Sequence, residues 1–391
     1  MSQRRRVAVV GLGVVSIAGT GIDAFWNGLN SAQPDGERRV ADFDPSNWYD
    51  SPKISRRADR STQFAMAAAH MAMADAGEIG CDPGRFGTIY ATGVGGMGTF
   101  EAQVETFVAQ GARRVSPFMI PMMMPNAPGA AISMHYGLQG PNETTTTACA
   151  ASTHAIGNAA RLIQYGRCDA VVTGGTEATM TPVGMAGFAN MTALSSTGRS
   201  MPFDKDRDGF MMAEGAATLV LEEWESAVSR GAHIYGEILG SGSNADAHHI
   251  TAPSPGGVGA VRCMQLALED AGITAEDVVH INAHGTSTPL NDAAEAHAMN
   301  KLFGTPGPLV TSTKGVTGHG LGAAGAFEAT AVLLSMKHGQ IPPTAGFTQA
   351  DPELPPINLV HGSPADWTPG PSLSNSFGFG GHNGSLAIGP A

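Results

Sequence analysis

The chain has 391 residues with 22 basic and 34 acidic side chains, which gives a formal net charge of −12 at pH 7. This acidic balance argues against nucleic acid or an anionic membrane as a general partner, since both require a basic surface. Charged residues make up only 14% and hydrophobic residues 42%, so most of the chain is able to bury apolar surface and a long disordered tail is excluded.

The first predicted element is a strand. Arg4-Arg5-Arg6 precede VAVVGLGVVSIAG, an order that is similar to a secretory signal. A buried parallel strand with its turn is favoured instead, because a Val-rich run suits a strand covered on both faces and Gly11 and Gly13 interrupt the apolar run. No stretch of about 18 uninterrupted apolar residues is present, so we expect no membrane span. The four cysteines form no CxxC pair and no zinc-ligand spacing, which predicts reduced thiols in a cytoplasmic protein without a metal site.

The order of predicted elements repeats in the two halves of the chain. AMADAG and ALEDAG each end a helical pattern at a glycine, Gly77 and Gly272, suited to a helix C-terminus. A loop, an apolar strand and a turn follow each of them. Later, TTTTACAAS and TSTKGVTGHGLGAAG each lead into a helix of small residues, and a further strand follows. The repeat predicts a duplicated α/β fold with halves at residues 1–245 and 246–391, and an insertion near residues 180–215 in the first half.

Cys149 lies where a strand of β-branched residues gives way to a helix. Four threonines, Thr144 to Thr147, precede it, and a run of small residues follows. At the start of a helix, unpaired backbone N–H groups and the helix dipole stabilise a thiolate and can hold an oxyanion. The alternative is an inert buried cysteine, the usual fate of this residue type. Cys149 is therefore a candidate nucleophile, and the other three cysteines are interpreted as structural.

Two histidines lie at comparable turns. His284 ends an apolar strand, and His319 begins another helix of small residues. A histidine at such a strand end is able to shuttle a proton or to donate a hydrogen bond to a developing negative charge. Lys314 precedes His319 by five residues and Glu328 follows it by nine. From spacing alone, these two charges form either a pair near the histidine or a solvated surface pair.

The glycine-rich strings do not predict a nucleotide site. GLG, from Gly11, is too short, and GVGGMG, from Gly93, matches the dinucleotide fingerprint only loosely. Neither is followed about twenty residues later by an acidic residue that closes a second strand.

Six strings follow one another along nearly the whole chain. They are GPNETTTTACAAS around Cys149, GGTEA from Gly174, PFDKDRDGF from Pro202, NAHGTSTPLNDAAE around His284, TSTKGVTGHGLGAAGAFEA around His319, and NSFGFGGHNGSL near the C-terminus. In this order they resemble the elongating β-ketoacyl-acyl carrier protein synthases, which are condensing enzymes of the thiolase superfamily. The resemblance implies a thiolase-like five-layered αβαβα fold built from two duplicated halves.

The resemblance also implies roles for individual residues. Cys149 is implied as the acyl-accepting nucleophile, with His284 and His319 completing a Cys-His-His set and Lys314 and Glu328 as supporting charges. Further positions are implied for the oxyanion hole, the gate and the substrate. The backbone N–H groups of Cys149 and Phe379 match the oxyanion hole, the Phe379 ring matches the gate, and the substrate-binding positions are Thr286, Thr288, Phe377 and Phe100.

The implied reaction is a decarboxylative Claisen condensation in fatty-acid elongation. An acyl group moves from an acyl carrier protein to Cys149, malonyl-carrier protein loses carbon dioxide, and the enolate attacks the thioester. Phosphopantetheine arrives on the carrier protein, so no cofactor of the enzyme's own is expected. A type II polyketide ketosynthase has the same mechanism. A non-catalytic chain-length factor lacks the cysteine, and a degradative thiolase has a second active cysteine that is absent after Phe379.

The implied partners are acyl carrier protein and a second copy of the chain. Carrier proteins are acidic, so docking on a chain of charge −12 requires a local basic face. The candidate docking arginines are Arg56, Arg57, Arg60, Arg113 and Arg114. Two positions depart from the common family pattern. Met201 stands where relatives often carry arginine, and His382 replaces a more familiar threonine.

Overall fold

The computed structural model describes residues 4–391. The helices are α1 (Ile22–Leu29), α2 (Pro52–Ser55), α3 (Arg60–Ala76), α4 (Met97–Gln110), α5 (Met119–Met123), α6 (Ala127–Tyr136), α7 (Ala151–Gln164), α8 (Pro182–Asn190), α9 (Trp224–Ser229), α10 (Val258–Ala271), α11 (Pro289–Phe303), α12 (Lys314–Thr317) and α13 (Ala324–His338). Across residues 4–391, every helix falls short of the length and apolar character that a bilayer crossing requires.

The strands include several long buried runs and a few short pairs. They are β1 (Val7–Ser16), β2 (Gly19–Thr20), β3 (Phe86–Thr92), β4 (Asn142–Thr145), β5 (Ala170–Glu177), β6 (Gly215–Glu223), β7 (Gly236–Ala245), β8 (His280–Asn282), β9 (Leu309–Thr311), β10 (Gln340–Ile341), β11 (Asn358–Leu359), β12 (Ala365–Asp366), β13 (Ser372–Gly378) and β14 (His382–Gly389). All ten residues of β1 are buried, as predicted for the Val-rich N-terminal strand. The predicted parallel pairing is wrong, because β1 pairs antiparallel with β2, β6 and β7.

The main sheet contains one strand arrangement twice. In the first set, β6 lies antiparallel between β1 and β5, and β3 lies parallel between β5 and β4. In the second set, β14 lies antiparallel between β7 and β13, and β8 lies parallel between β13 and β9. Short pairing of β1 with β7 joins the two sets. The predicted duplication of the fold is confirmed. The domain boundary after residue 245 stays a prediction. Strand β7 ends at this boundary, and its position in the second set corresponds to that of β1 in the first set.

Two helices form the central layer. Helix α7 packs on β3 and β5 of the first set and on β7 and β14 of the second, and α13 packs on β5, β6, β13 and β14. Residues 324–336 of α13 are all buried, as is typical of a helix that is apolar around its whole circumference. Helices α3 and α10 cover the outer faces on β1 and β6 and on β7 and β14. The layers are therefore α3, the first strand set, α7 with α13, the second strand set, and α10, which is the predicted five-layered order.

The region predicted as an insertion connects β5 to β6. It contains α8, and residues 191–214 then form turns with isolated bridges and no helix. Several of these residues pack beside Cys149 in a small core of their own, among them Met180, Phe210 and Met212. The insertion therefore contributes one wall of the candidate site.

Candidate active site

Cys149 lies in a tight turn at the start of α7. The turn Ala148–Ala150 is a single 3-10 turn, and Ala148 has a φ of +50°. A positive φ is strained for a residue with a Cβ, and such strain is concentrated at functional sites. The corresponding turn of the second half, Leu321–Ala323 before α13, begins with Leu321 at a φ of +45°. The strained strand-to-helix turn is thus present in both halves, with Gly322 at the place of Cys149.

The end of β13 approaches this turn closely. A Cβ on Gly378 would lie 3.1 Å from the backbone nitrogen of Cys149 and 3.2 Å from that of Ala150. Glycine permits this approach because it has no side chain. Phe379 follows, and its backbone N–H, like that of Cys149 itself, acts on the sulfur in the direction that lowers the pKa of the thiol. Both predicted oxyanion donors therefore face the reactive atom.

His319 is the nearest side chain to the sulfur. Its Nε2 lies 3.0 Å from the Cys149 Sγ. The ring is buried, and the ring of Phe210 packs edge-on against it with centroids 5.0 Å apart. Burial, with the nearby Lys314 charge, lowers the pKa of His319 well below its usual value. The imidazole is therefore neutral at pH 7 and able to accept the thiol proton.

His284 is oriented by Lys314. The Lys314 Nζ lies 3.3 Å from the His284 Nδ1 and donates to the His284 backbone oxygen at 2.6 Å. Because an ammonium group has no lone pair, Nδ1 accepts and the ring proton resides on Nε2. Burial, then Lys314 and His319, lower the pKa of His284 well below its usual value. The ring thus offers an N–H donor from a neutral imidazole, and its centroid lies 5.3 Å from that of His319.

Lys314 and Glu328 form a buried ion pair beneath the histidines. Both side chains are 1% exposed, and the ammonium donates to the Glu328 Oε1. Burial raises the pKa of Glu328 to about 7, against the opposing effect of Lys314. The two readings left open by spacing are therefore decided: this is an internal pair at the site and not a solvated one.

Two buried carboxylates at the site were given no role by the sequence prediction. Glu295 on α11 accepts the backbone N–H groups of His284 and Gly285, each at 2.8 Å. Glu177, at the end of β5, accepts the N–H groups of Gly93 at 2.8 Å and Gly322 at 3.1 Å. Each carboxylate fixes turns that surround the sulfur. The signal for Glu177 was a charged residue closing the apolar strand AVVTGG.

The three reactive groups open into one cavity of about 410 Å³. Cys149, His284 and His319 lie on its wall, together with Thr286, Thr288, Phe377 and Phe379. The hydroxyls of Thr286 and Thr288 lie 2.9 Å apart. From the insertion, Phe188, Met191 and Phe210 add apolar surface. The cavity thus combines a polar approach with an apolar wall, as a thioester with a hydrocarbon chain requires.

Some predicted positions lie outside this cavity. Phe100 is on α4, is 44% exposed, and does not line the wall around Cys149. Met201 is buried at 4% exposure, so it offers no surface contact.

The five candidate docking arginines separate into two groups. Arg56, Arg57, Arg113 and Arg114 are exposed, and Arg57 lies over the ring of Phe118 at 4.2 Å. Phe118 lies four residues after Arg114 in the chain, so Arg57 packs on the segment that follows Arg113 and Arg114. Arg60 instead donates to the buried Glu214 carboxylate at 2.7 Å. The Arg60 side chain is 38% exposed, and the sequence pattern did not predict its ion pair with Glu214.

Burial determines the protonation of Cys149. The sequence interpretation expects the helix terminus to stabilise a thiolate, but burial has the larger effect and raises the pKa of Cys149 to about 11. Lys314 and the N–H groups of Phe379 and Cys149 act in the opposite direction and do not overcome it. The resting residue is a thiol hydrogen-bonded to His319.

Alkylation of Cys149 by iodoacetamide should report this raised pKa. Because the thiolate reacts, the rate should rise about tenfold per pH unit between about pH 6 and pH 9 without levelling. Intact-mass spectrometry measures the adduct, and Cys149→Ala identifies any contribution from the other cysteines. A plateau below pH 8 would contradict the assignment of a buried resting thiol.

The same three groups have the spacing of a metal site. One ligand atom from each of Cys149, His284 and His319 lies within 4.8 Å of the others. However, the tautomer of His284 directs a proton and not a lone pair into the cluster, and the Lys314 ammonium adds a positive charge. These residues suit proton transfer and hydrogen bonding to an oxyanion better than cation binding.

Known proteins resemble this chain along nearly its whole length. A family model described as "Beta-ketoacyl synthase, N-terminal domain" matches residues 32–227, and one described as "Beta-ketoacyl synthase, C-terminal domain" matches residues 235–348. The 3-oxoacyl-[acyl-carrier-protein] synthase 2 of Synechocystis sp. is 43% identical over 99% of this chain and 98% of its own.

Two solved structures have similar folds. A beta-ketoacyl synthase from Burkholderia phymatum superposes with a TM-score of 0.91 at 33% identity, over 99% of this chain and 100% of its own. A ketosynthase solved with its type II PKS acyl-carrier protein and bound to the hexaketide gives a TM-score of 0.90 at 30% identity, over 100% of both chains.

Proposed function

Because the chain belongs to the beta-ketoacyl synthase family, we propose that it lengthens a fatty acyl chain by two carbons through decarboxylative condensation with malonyl-acyl carrier protein. The observation that carries the assignment of roles is the convergence of the Cys149 sulfur, the His319 Nε2 and a proton-bearing His284 Nε2 in one cavity. Phosphopantetheine is supplied by the carrier protein, and four free thiols support a cytoplasmic location.

The first half-reaction loads Cys149. The thiol transfers its proton to His319 as the sulfur attacks the acyl thioester, and the N–H groups of Cys149 and Phe379 hold the oxyanion. The bond between the acyl carbon and the pantetheine sulfur then breaks. The departing thiolate takes the proton from His319, so carrier protein leaves as a thiol and the enzyme retains the acyl group on sulfur.

The second half-reaction forms the carbon–carbon bond. Malonyl-carrier protein loses carbon dioxide, and the electrons of the broken bond form an enolate. Its oxygen accepts hydrogen bonds from the Nε2–H of His284 and from the Nε2–H of His319, which is in its other neutral tautomer because the acylated sulfur no longer offers it a proton. The enolate carbon attacks the acyl-Cys149 carbonyl, and the carbon–sulfur bond breaks. The Cys149 thiolate takes up one proton from solvent by way of His319, which restores the resting thiol.

The polyketide alternative has the same chemistry and is supported by the ketosynthase solved with a hexaketide. Product analysis distinguishes the two. We expect one round of two-carbon extension from saturated acyl-carrier protein, measured by mass spectrometry of the carrier-bound product. Failure with fatty acyl-carrier proteins, together with repeated extension of a β-keto chain, would favour the polyketide reading.

We further propose that the basic face of Arg56, Arg57, Arg113 and Arg114 docks acyl carrier protein. Replacing Arg113 and Arg114 together by glutamate should raise the KM for acyl-carrier protein roughly tenfold or more, since like charges then meet across the interface. The kcat with a short thioester lacking the carrier protein should stay unchanged. Arg167→Glu, at another exposed arginine, controls for net charge; an equal effect from it would argue against a specific face.

We also propose that the chain is a homodimer through the exposed face of α4. No residue of this helix is buried, although Phe100, Val104, Phe107 and Val108 follow the spacing of one apolar stripe, and Val108 is 78% exposed. A stripe of this kind on a surface marks an interface. A second copy is the expected occupant because β4, the strand at one end of the sheet, is also unpaired on one side.

Phe107→Glu combined with Val108→Glu should convert the dimer into a monomer, because burial of two carboxylates in the interface is strongly unfavourable. Light scattering after gel filtration measures the mass. Val228→Glu, at a comparably exposed apolar residue on α9, is the control. A wild-type chain that is monomeric at micromolar concentration would contradict the proposal.

A further inference from the structure

The turn that carries His319 is braced by a loop from the start of the chain. Arg38 forms a parallel bridge with Ala213, and the Glu214 N–H donates to the Arg38 oxygen at 3.4 Å. On the other side, the His319 N–H donates to the Met211 oxygen at 2.7 Å and the Ala213 N–H donates to the His319 oxygen at 3.0 Å. Residues 211–214 therefore lie between Arg38 and His319, with hydrogen bonds to both.

The Arg38 side chain also contacts this turn directly. It is 0% exposed. Gly318, which precedes His319, has a φ of +68°, and a Cβ built on it would lie 2.6 Å from the Arg38 Cγ and 3.0 Å from the Ala213 Cβ. The aliphatic stem of Arg38 thus covers the backbone of the residue next to the histidine.

The guanidinium group of Arg38 has few hydrogen-bond partners. Its Nη1 donates to the Gly36 oxygen at 2.7 Å, and its Nε and Nη2 have no hydrogen-bond partner among residues 4–391. No carboxylate of the described residues forms an ion pair with it. The contact that reaches the site is therefore the packing of the stem, as is common for long cationic side chains.

His319 depends on such packing more than His284 does. His284 is fixed by Lys314 at its Nδ1. The His319 Nδ1 is buried and has no partner among the described residues, so no side-chain hydrogen bond on that nitrogen orients the ring. Its distance to the Cys149 sulfur is then set by the backbone of its turn and by ring packing on Phe210.

We propose that Arg38 is a positioning residue, whose buried stem on Gly318 holds the His319 turn so that Nε2 faces the Cys149 sulfur; this role rests on the proposed function of His319. Arg38→Ala removes the stem. Arg38→Met keeps the Cγ and has a sulfur atom in place of the arginine Cδ, so it preserves the apolar stem without the charge. We expect Arg38→Ala to lower the condensation kcat roughly 10- to 100-fold and to slow alkylation of Cys149, whereas Arg38→Met keeps both near the wild-type values.

Gln33→Ala is a second variant in case Arg38→Ala does not fold. The Gln33 Nε2 donates to the oxygens of Gly315 and Ser200, so its loss loosens the same turn without opening the core. It should lower kcat and the alkylation rate in the same direction by a smaller factor. Circular dichroism and thermal unfolding confirm folding, and Arg167→Ala, at an exposed arginine, is the matched control.

The outcomes distinguish a failure of the Arg38 proposal from a failure of the proposed function. Wild-type kcat and wild-type alkylation in a folded Arg38→Ala or Gln33→Ala protein would overturn the positioning role. Loss of activity in Arg38→Met equal to that in Arg38→Ala would overturn the assignment to the stem. If the wild-type protein itself shows no condensation, the proposed function fails, and the alkylation rates alone then decide whether Arg38 controls the contact between His319 and Cys149.

Discussion

The Cys149→Ala variant should form no acyl-enzyme and should lose condensation by on the order of 10⁴-fold or more. The other three cysteines cannot substitute for it, because Cys168 and Cys263 are buried and neither they nor Cys81 line the cavity. The chain should still fold, since alanine is smaller than cysteine and the site is a cavity wall.

The kinetics of this variant identify which step depends on the sulfur. Both the transfer of acyl groups and the overall condensation should vanish together, measured by release of free carrier-protein thiol and by product mass. The histidines remain in place, so slow release of carbon dioxide from malonyl-carrier protein should continue. Full condensation by Cys149→Ala would mean that the acyl group never resides on this residue.

The second large effect is expected at the two histidines. His284→Ala removes an N–H donor to the enolate and should lower decarboxylation and condensation roughly 10²- to 10⁴-fold. Acylation of Cys149 should persist, because the His284 Nε2 is not the partner of the thiol. Single-turnover acylation and carbon dioxide release, measured separately, test this division.

His319→Ala should be impaired in both half-reactions, since its Nε2 contacts the sulfur at 3.0 Å and, in the proposed mechanism, also donates to the enolate oxygen. His297→Ala, an exposed histidine on α11, is the control and should behave as the wild-type protein. If His284→Ala and His319→Ala slow acylation equally, the division of roles between the two imidazoles is wrong.

Sequence patterns predicted the fold because the duplication produces local patterns that recur in both halves of the chain. Gly77 and Gly272 end α3 and α10 at positive φ, and each repeat of strand and small-residue helix falls in the same place of its half. Because each such pattern depends on only a few neighbouring residues, it can be recognised in a single sequence. Cys149 follows β4 of the first half, whereas His284 and His319 follow β8 and β9, two neighbouring parallel strands of the second half. Local patterns marked each strand end separately, and the packing of the two halves brings the three residues together.

Other features were beyond prediction because they depend on contacts between distant segments. The pairing of Arg60 with Glu214 joins residues far apart in the chain, so the sequence pattern could not separate Arg60 from the other candidate docking arginines. The protonation of Cys149 depends on how deeply segments from both halves bury it, which no local pattern gives. The same holds for Arg38 against Gly318, where a loop and a turn from opposite halves meet.

Intact-mass spectrometry of the wild-type protein mixed with an acyl-carrier protein tests the central assignment most directly. We predict one added acyl group, located on the peptide that contains Cys149, and its loss when malonyl-carrier protein is supplied, with a product two carbons longer. An acyl group on any other residue, or one that malonyl-carrier protein does not discharge, would contradict the assignment.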